Sequence, residues 1–83
     1  MHDVKKAQYL SEYKLLLTFD DGIEKEVDFN KLLEGFEGPI FRPLKDINYF
    51  KTFSINDDIG TVCWPNDADV CPDLLYDKGK RFR

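Results

Sequence analysis

Nucleophilic hydrolysis needs a histidine held in place by a third group. This sequence has one histidine, His2, at its N-terminal end, where an exposed, mobile side chain is expected, so no catalytic residue is assigned. Structural zinc takes four Cys, His or carboxylate ligands. With that one histidine and two cysteines, Cys63 and Cys71, a zinc site would have to borrow carboxylates or a second subunit. No metal ligand and no cofactor are assigned, and the cysteines are read as reduced, small buried hydrophobes. Gly22, Gly35, Gly38, Gly60 and Gly79 are scattered. They do not form the glycine-rich turn that delivers a phosphate to a helix start.

Carboxylates are the more plentiful resource. Asp20 and Asp21 share a turn, as do Asp57 and Asp58, and Asp67 and Asp69 flank Ala68. Two carboxylates divide acid and base roles when burial separates their pKa values, and oxygen-rich loops suit calcium or magnesium. Turn aspartates, however, ordinarily accept hydrogen bonds from their own backbone, and no segment has the twelve-residue calcium-loop pattern. An aspartate-rich metal- or small-ligand-binding protein or enzyme is therefore the alternative reading. The leading candidates for contact are Trp64, Asn66 and Asp69, which join an amphipathic ring to an amide and a carboxylate. Trp anchors binding hot spots when it fills a partner's pocket. The competing reading puts Trp64 in the core, with Asn66 and Asp69 tying down a turn. Glu24 and Glu26 supply a second candidate surface, the wet face of a strand.

The elements that must position these groups follow from periodicity and turn chemistry. Residues 4–9 read as a first strand, broken at Ser11 and Glu12. Tyr13, Leu15, Leu17 and Phe19 then share a face by the period of two. Asp20-Asp21-Gly22 is a hairpin signal, and the return strand over residues 23–28 sets Ile23 and Val27 against Glu24 and Glu26. Asp28 suits a helix N-cap before a turn of helix through Leu33 that Gly35 stops. Gly38, Pro39 and Pro43 forbid a long helix over residues 35–45, so Ile40, Phe41 and Leu44 are expected to plug the core from a compact turn. Asp46 caps a second short helix carrying Ile47 and Phe50. A second hairpin follows, with residues 52–55 and 61–64 as its strands. Residues 68–70 read as short and extended, and Pro72 opens a terminal helix ending near Gly79.

The predicted fold is α+β: a small antiparallel sheet, made of a three-strand meander plus a second hairpin, with short helices. An 83-residue chain is one domain's worth, here residues 4–77. Its aromatic residues, 14% of the total, supply a core without staples. Residues 78–83 hold four of the twelve basic residues and no acidic ones; eight basic and sixteen acidic residues, a net −8, remain in residues 1–77. An acidic body repels phosphate backbones, which argues against direct nucleic-acid binding. The basic end reads as a frayed, solubilising, flexible tail, with contact to an acidic partner or to its own acidic body as the alternative. No apolar run nears the ~20 residues of a membrane helix, and no signal segment precedes the first strand, so a cytoplasmic setting without membrane contact is expected.

Several motifs occur in an order that resembles a bacterial family, domain of unknown function 2442. They are Leu17-Thr18-Phe19-Asp20-Asp21-Gly22, Val27-Asp28-Phe29, Gly38-Pro39-Ile40-Phe41, Pro43-Leu44-Lys45-Asp46 with Phe50, and Trp64-Pro65-Asn66-Asp67-Ala68-Asp69-Val70 followed by Pro72, Leu75 and Tyr76. The resemblance covers residues 4–77 and implies a compact α+β fold with no established activity. Some members carry a fused helix-turn-helix, which this chain is not expected to have, and others lie beside small toxin-like proteins. The family tends to place Gly where Asp67 stands, and Asp tolerates left-handed backbone better than most residues. The resulting expectation is a non-enzymatic protein-binding or regulatory module that partners a small toxin-like protein. Homodimer formation through sheet edges and an accessory role in transcription regulation through the basic tail are the other outcomes.

Overall fold

Three strands in meander order come first in the computed structural model, which describes residues 2–35 and 38–82. They are β1 (Val4–Ser11), β2 (Lys14–Phe19) and β3 (Glu24–Asp28). Alternation builds β2: Leu15, Leu17 and Phe19 are buried on one face while Lys14, Leu16 and Thr18 are half-exposed on the other. The β1 strand runs two residues beyond Tyr9, and Glu12, with φ of 48°, makes the break. Asp20-Asp21-Gly22 closes the β2–β3 hairpin. Gly22 takes a φ of 84° and the Asp21 carboxylate accepts from the Ile23 N–H at 3.0 Å.

Asp28 and Asp46 cap the short helices α1 (Phe29–Leu32) and α2 (Ile47–Phe50), each accepting the N–H two residues on at 3.0 Å. Between them lie 3-10 turns at Leu33–Gly35 and Arg42–Lys45. Leu44 is buried and Phe41 half-buried, as expected of a plug. Ile40 is the exception, at 41% exposed. Its carbonyl, not its side chain, fastens the turn by accepting from Asn66 Nδ2 at 2.8 Å.

The second hairpin pairs β4 (Ser54–Asn56) with β5 (Thr61–Cys63). Gly60, with φ of 68°, ends its loop and donates to the Asn56 carbonyl. A Cβ at Gly60 would stand 2.5 Å from the Asp3 side chain. The close approach lets the Gly60 carbonyl accept from Val4 N–H at 2.8 Å, joining the hairpin to the start of β1. Helix α3 (Pro72–Lys78) follows with Pro at its start. It buries Leu75 against the inner face of the meander.

The C-terminal end departs from expectation. The sequence predicts a flexible tail over residues 78–83, but Lys80–Arg81 forms the short strand β6. It pairs antiparallel with β3, Glu26 opposite Lys80 and Lys25 opposite Arg81, and Phe82 N–H donates to the Glu24 carbonyl at 2.9 Å. Glu26 opposite Lys80 is a complementary pair and Lys25 opposite Arg81 is not, so the strand rests on its main-chain bonds to β3 together with the Glu26–Lys80 pairing. Arg83 lies outside the described residues. The result is a four-stranded sheet ordered β1-β2-β3-β6 and a two-stranded sheet, with short helices, an α+β fold. No helix among the described residues is long and apolar enough to cross a membrane.

Aromatic rings fill the space between the sheets. Phe29, Phe50 and Trp64 meet pairwise at centroid distances of 5.5–5.8 Å. Trp64 is 2% exposed and its indole Nε1–H donates to the Phe50 carbonyl at 2.8 Å. Trp64→Phe keeps a ring but leaves that carbonyl unpaired and a void beside it. The expected loss is about 2–4 kcal/mol, read as a lower urea midpoint at unchanged slope.

Candidate functional site

Of the residues that the sequence singles out for contact, Trp64 does not reach the surface. It stands just past the end of β5, where its backbone N–H donates to the Ala68 carbonyl at 3.0 Å and its carbonyl accepts from Asp67 N–H at 2.9 Å. That loop turns the chain back on itself and directs the indole inward. The partner-anchor role for Trp64 is therefore corrected to a core role: the indole has a buried acceptor, and no ring face is left for a partner.

Asn66 is also committed to the fold. Its backbone N–H donates to Tyr49 Oη at 2.9 Å, its amide donates to the Ile40 carbonyl, and its Oδ1 accepts from Ala68 N–H at 3.2 Å. Through its side chain Asn66 joins the turn before Phe41 to its own loop, and through its backbone N–H it adds helix α2. Asp67 adopts φ of 67° in this loop, the left-handed geometry anticipated for it. Asp69 is exposed and its backbone bridges Cys63, whereas Asn66 is half-buried and Trp64 buried.

Glu24 and Glu26 lie on the outward face of β3 and are half-buried. They do not form a purely acidic face, because Lys80 is in register with Glu26 and Lys14 with Asp28 across the sheet. Trp64 and these glutamates occupy different sides of the molecule, one in the core and the others on the outer sheet, so the named residues do not converge on one site.

The aspartate pairs separate in the same way. Asp57 and Asp58 are exposed in the β4–β5 loop, with Asp58 N–H donating to Asn56 Oδ1 at 2.9 Å. Among the described residues no group of three His, Cys, Asp or Glu side chains is gathered as a metal ion requires. Cys63 is half-buried and Cys71 exposed, both as free thiols, so Cys71 departs from the buried role expected of it at the entry to α3.

Asp21 belongs to a cluster that sequence reasoning missed. Its Oδ2 accepts from Tyr76 Oη at 2.8 Å and lies 3.9 Å from His2 Nδ1. The His2 ring stacks on Tyr76 at 3.6 Å and an interplanar angle of 4°. Lys25 Nζ sits 3.9 Å from the centroid of the same Tyr76 ring and donates to the Tyr76 carbonyl. His2 N–H donates to Asp73 Oδ1 at 2.9 Å. His2 is therefore docked on α3 and not a free terminal side chain. Its signal in the sequence is faint, since 71 residues separate it from Asp73.

The family model described as "Protein of unknown function (DUF2442)" matches residues 4–81. The chain belongs to the DUF2442 family. The match runs through Lys80 and Arg81, so the paired C-terminal strand falls within this DUF2442 domain. No curated protein and no solved structure matches the chain.

The Asp21–Tyr76 bond sets a pH window. The Ile23 N–H, first, and the Tyr76 hydroxyl hold the Asp21 carboxyl below its usual range, and the same bond to Asp21 raises the Tyr76 phenol. Asp21 stabilises the fold fully above its unfolded pKa, about 4, and this is lost as pH falls through the lowered folded value. Tyr76 contributes fully below about pH 10, and its share is lost as pH rises through the raised folded value. In melting curves across pH, the gap between wild type and Asp21→Asn is expected to be widest between these limits and to close at both ends.

Proposed function

We propose that this chain is a non-enzymatic protein-binding module that receives an extended, basic segment of a small partner protein along the β3–β6 side of its sheet. The observation that carries this reading is the inequality of the two sheet edges. At one edge, β1 carries exposed Lys5 and Lys6, and its register shifts between Val4 and Lys6 and again between Tyr9 and Ser11. Lysines and bulges are the devices by which edge strands discourage pairing. The other edge is a strand of two residues, both exposed. A partner strand that takes its place gains main-chain hydrogen bonds along β3, its basic side chains facing Glu24 and Glu26 where Lys80-Arg81 otherwise lies. The chain's own Lys80-Arg81 is a segment of that kind.

The family's occurrence beside small toxin-like proteins agrees with a regulatory partner in a two-gene pair in a bacterial cytoplasm. Asp69 bridges Cys63 of the second hairpin and is not part of this edge. The tagged chain is expected to retain one stoichiometric protein from native lysate after nuclease treatment and moderate salt. Glu24→Lys with Glu26→Lys should lower that capture by about tenfold or more. Capture that the double variant leaves unchanged places the partner elsewhere. Recovery of a second copy of the same chain identifies the edge as a homodimer contact. Recovery of nucleic acid alone removes the reading.

A further inference from the structure

Beyond the strand edge, four lysines that are far apart in sequence meet around one groove. Lys14 from β2, Lys31 from α1, Lys78 at the end of α3 and Lys80 from β6 line a cleft of about 380 Å³, together with Glu26 and Asp28. The geometry points to this groove as a binding site for a small ligand bearing a phosphate or diphosphate group.

The charges carry the argument. Among the described residues, none of the four ammonium groups makes an ion pair, although two carboxylates share the groove. Asp28 is engaged, its Oδ1 accepting the Asn30 N–H as the cap of α1. Counted over the lining residues, four cations and two anions leave an excess of two positive charges in a molecule whose net charge is −4. Holding like charges around one concavity is unfavourable without a counter-ion, and a polyvalent oxyanion supplies one. Ammonium groups on long stems suit phosphate as compact point charges. The cleft lies at the small end of the size range of small-molecule sites, about 300–1,000 Å³, which fits a diphosphate or a nucleoside diphosphate. A long nucleic-acid backbone is disfavoured by the acidic remainder of the surface.

The full chain is titrated with inorganic pyrophosphate at low salt and followed by the amide resonances of its NMR spectrum, with chloride at matched ionic strength as control. Saturable shifts confined to the neighbourhoods of Glu26, Lys31, Lys78 and Lys80 are expected. Lys31→Gln and Lys78→Gln should each weaken binding by about tenfold, while Lys5→Gln on the far edge leaves it unchanged. Adenosine diphosphate in a parallel titration separates the two sources of the group: equal affinity assigns binding to the phosphates alone, and tighter affinity adds a contact to the organic moiety. Shifts that spread over all surface lysines, fail to saturate, are matched by chloride, or survive both groove substitutions overturn the proposal. The spectra of the variants also report whether each is folded.

Discussion

The hydrogen bond from the Trp64 indole to the Phe50 carbonyl is the contact on which the two halves of the molecule depend. Helix α2 is only four residues long and cannot stand alone. Its last residue is held by Trp64 from the second hairpin and by the rings of Phe29 and Tyr13 from the first half. The core is therefore an aromatic joint between a meander and a hairpin that share no strand ladder. Each ring covers a large area, which is how so short a chain closes a core without cross-links.

Around that joint, short side chains do the work of secondary structure. Asp28, Asp46 and Asn66 satisfy backbone groups that one-turn helices and tight loops leave open. The same economy explains the aspartates. Asp21 closes a hairpin with one oxygen and holds α3 through Tyr76 with the other. Its commitment to the fold leaves the surface chemistry to other groups, chiefly the glutamates of β3 and the lysines around its end.

Local signals in the sequence carry the elements well. Alternation reveals β2, Asp-Gly marks the first hairpin, Asp28 and Asp46 mark helix starts, and Pro72 opens α3, because each rests on neighbours within a few residues. Contacts between distant residues are a different matter. Trp64 finds its acceptor 14 residues away, and a strand-end indole, though more often core, can also read as a surface anchor until that acceptor is placed. Lys80 and Arg81 show charge but no periodicity, so their pairing with β3 is not written in their own stretch of chain. His2 has no local reason to stack on Tyr76. The lysine groove is assembled from four separate elements, and no window of sequence contains it. The alternation of β3 marks its glutamates as outward-facing, whereas nothing local marks their neighbours on β6.

The burial of Trp64 has a spectroscopic consequence. It is the sole indole in the chain, and it sits with both Phe29 and Phe50 within 6 Å of its ring. Its fluorescence therefore reports a single dry environment at the joint between the two halves, emitting to the blue of a solvated indole. Loosening of that joint registers as a red shift free of contributions from any other tryptophan.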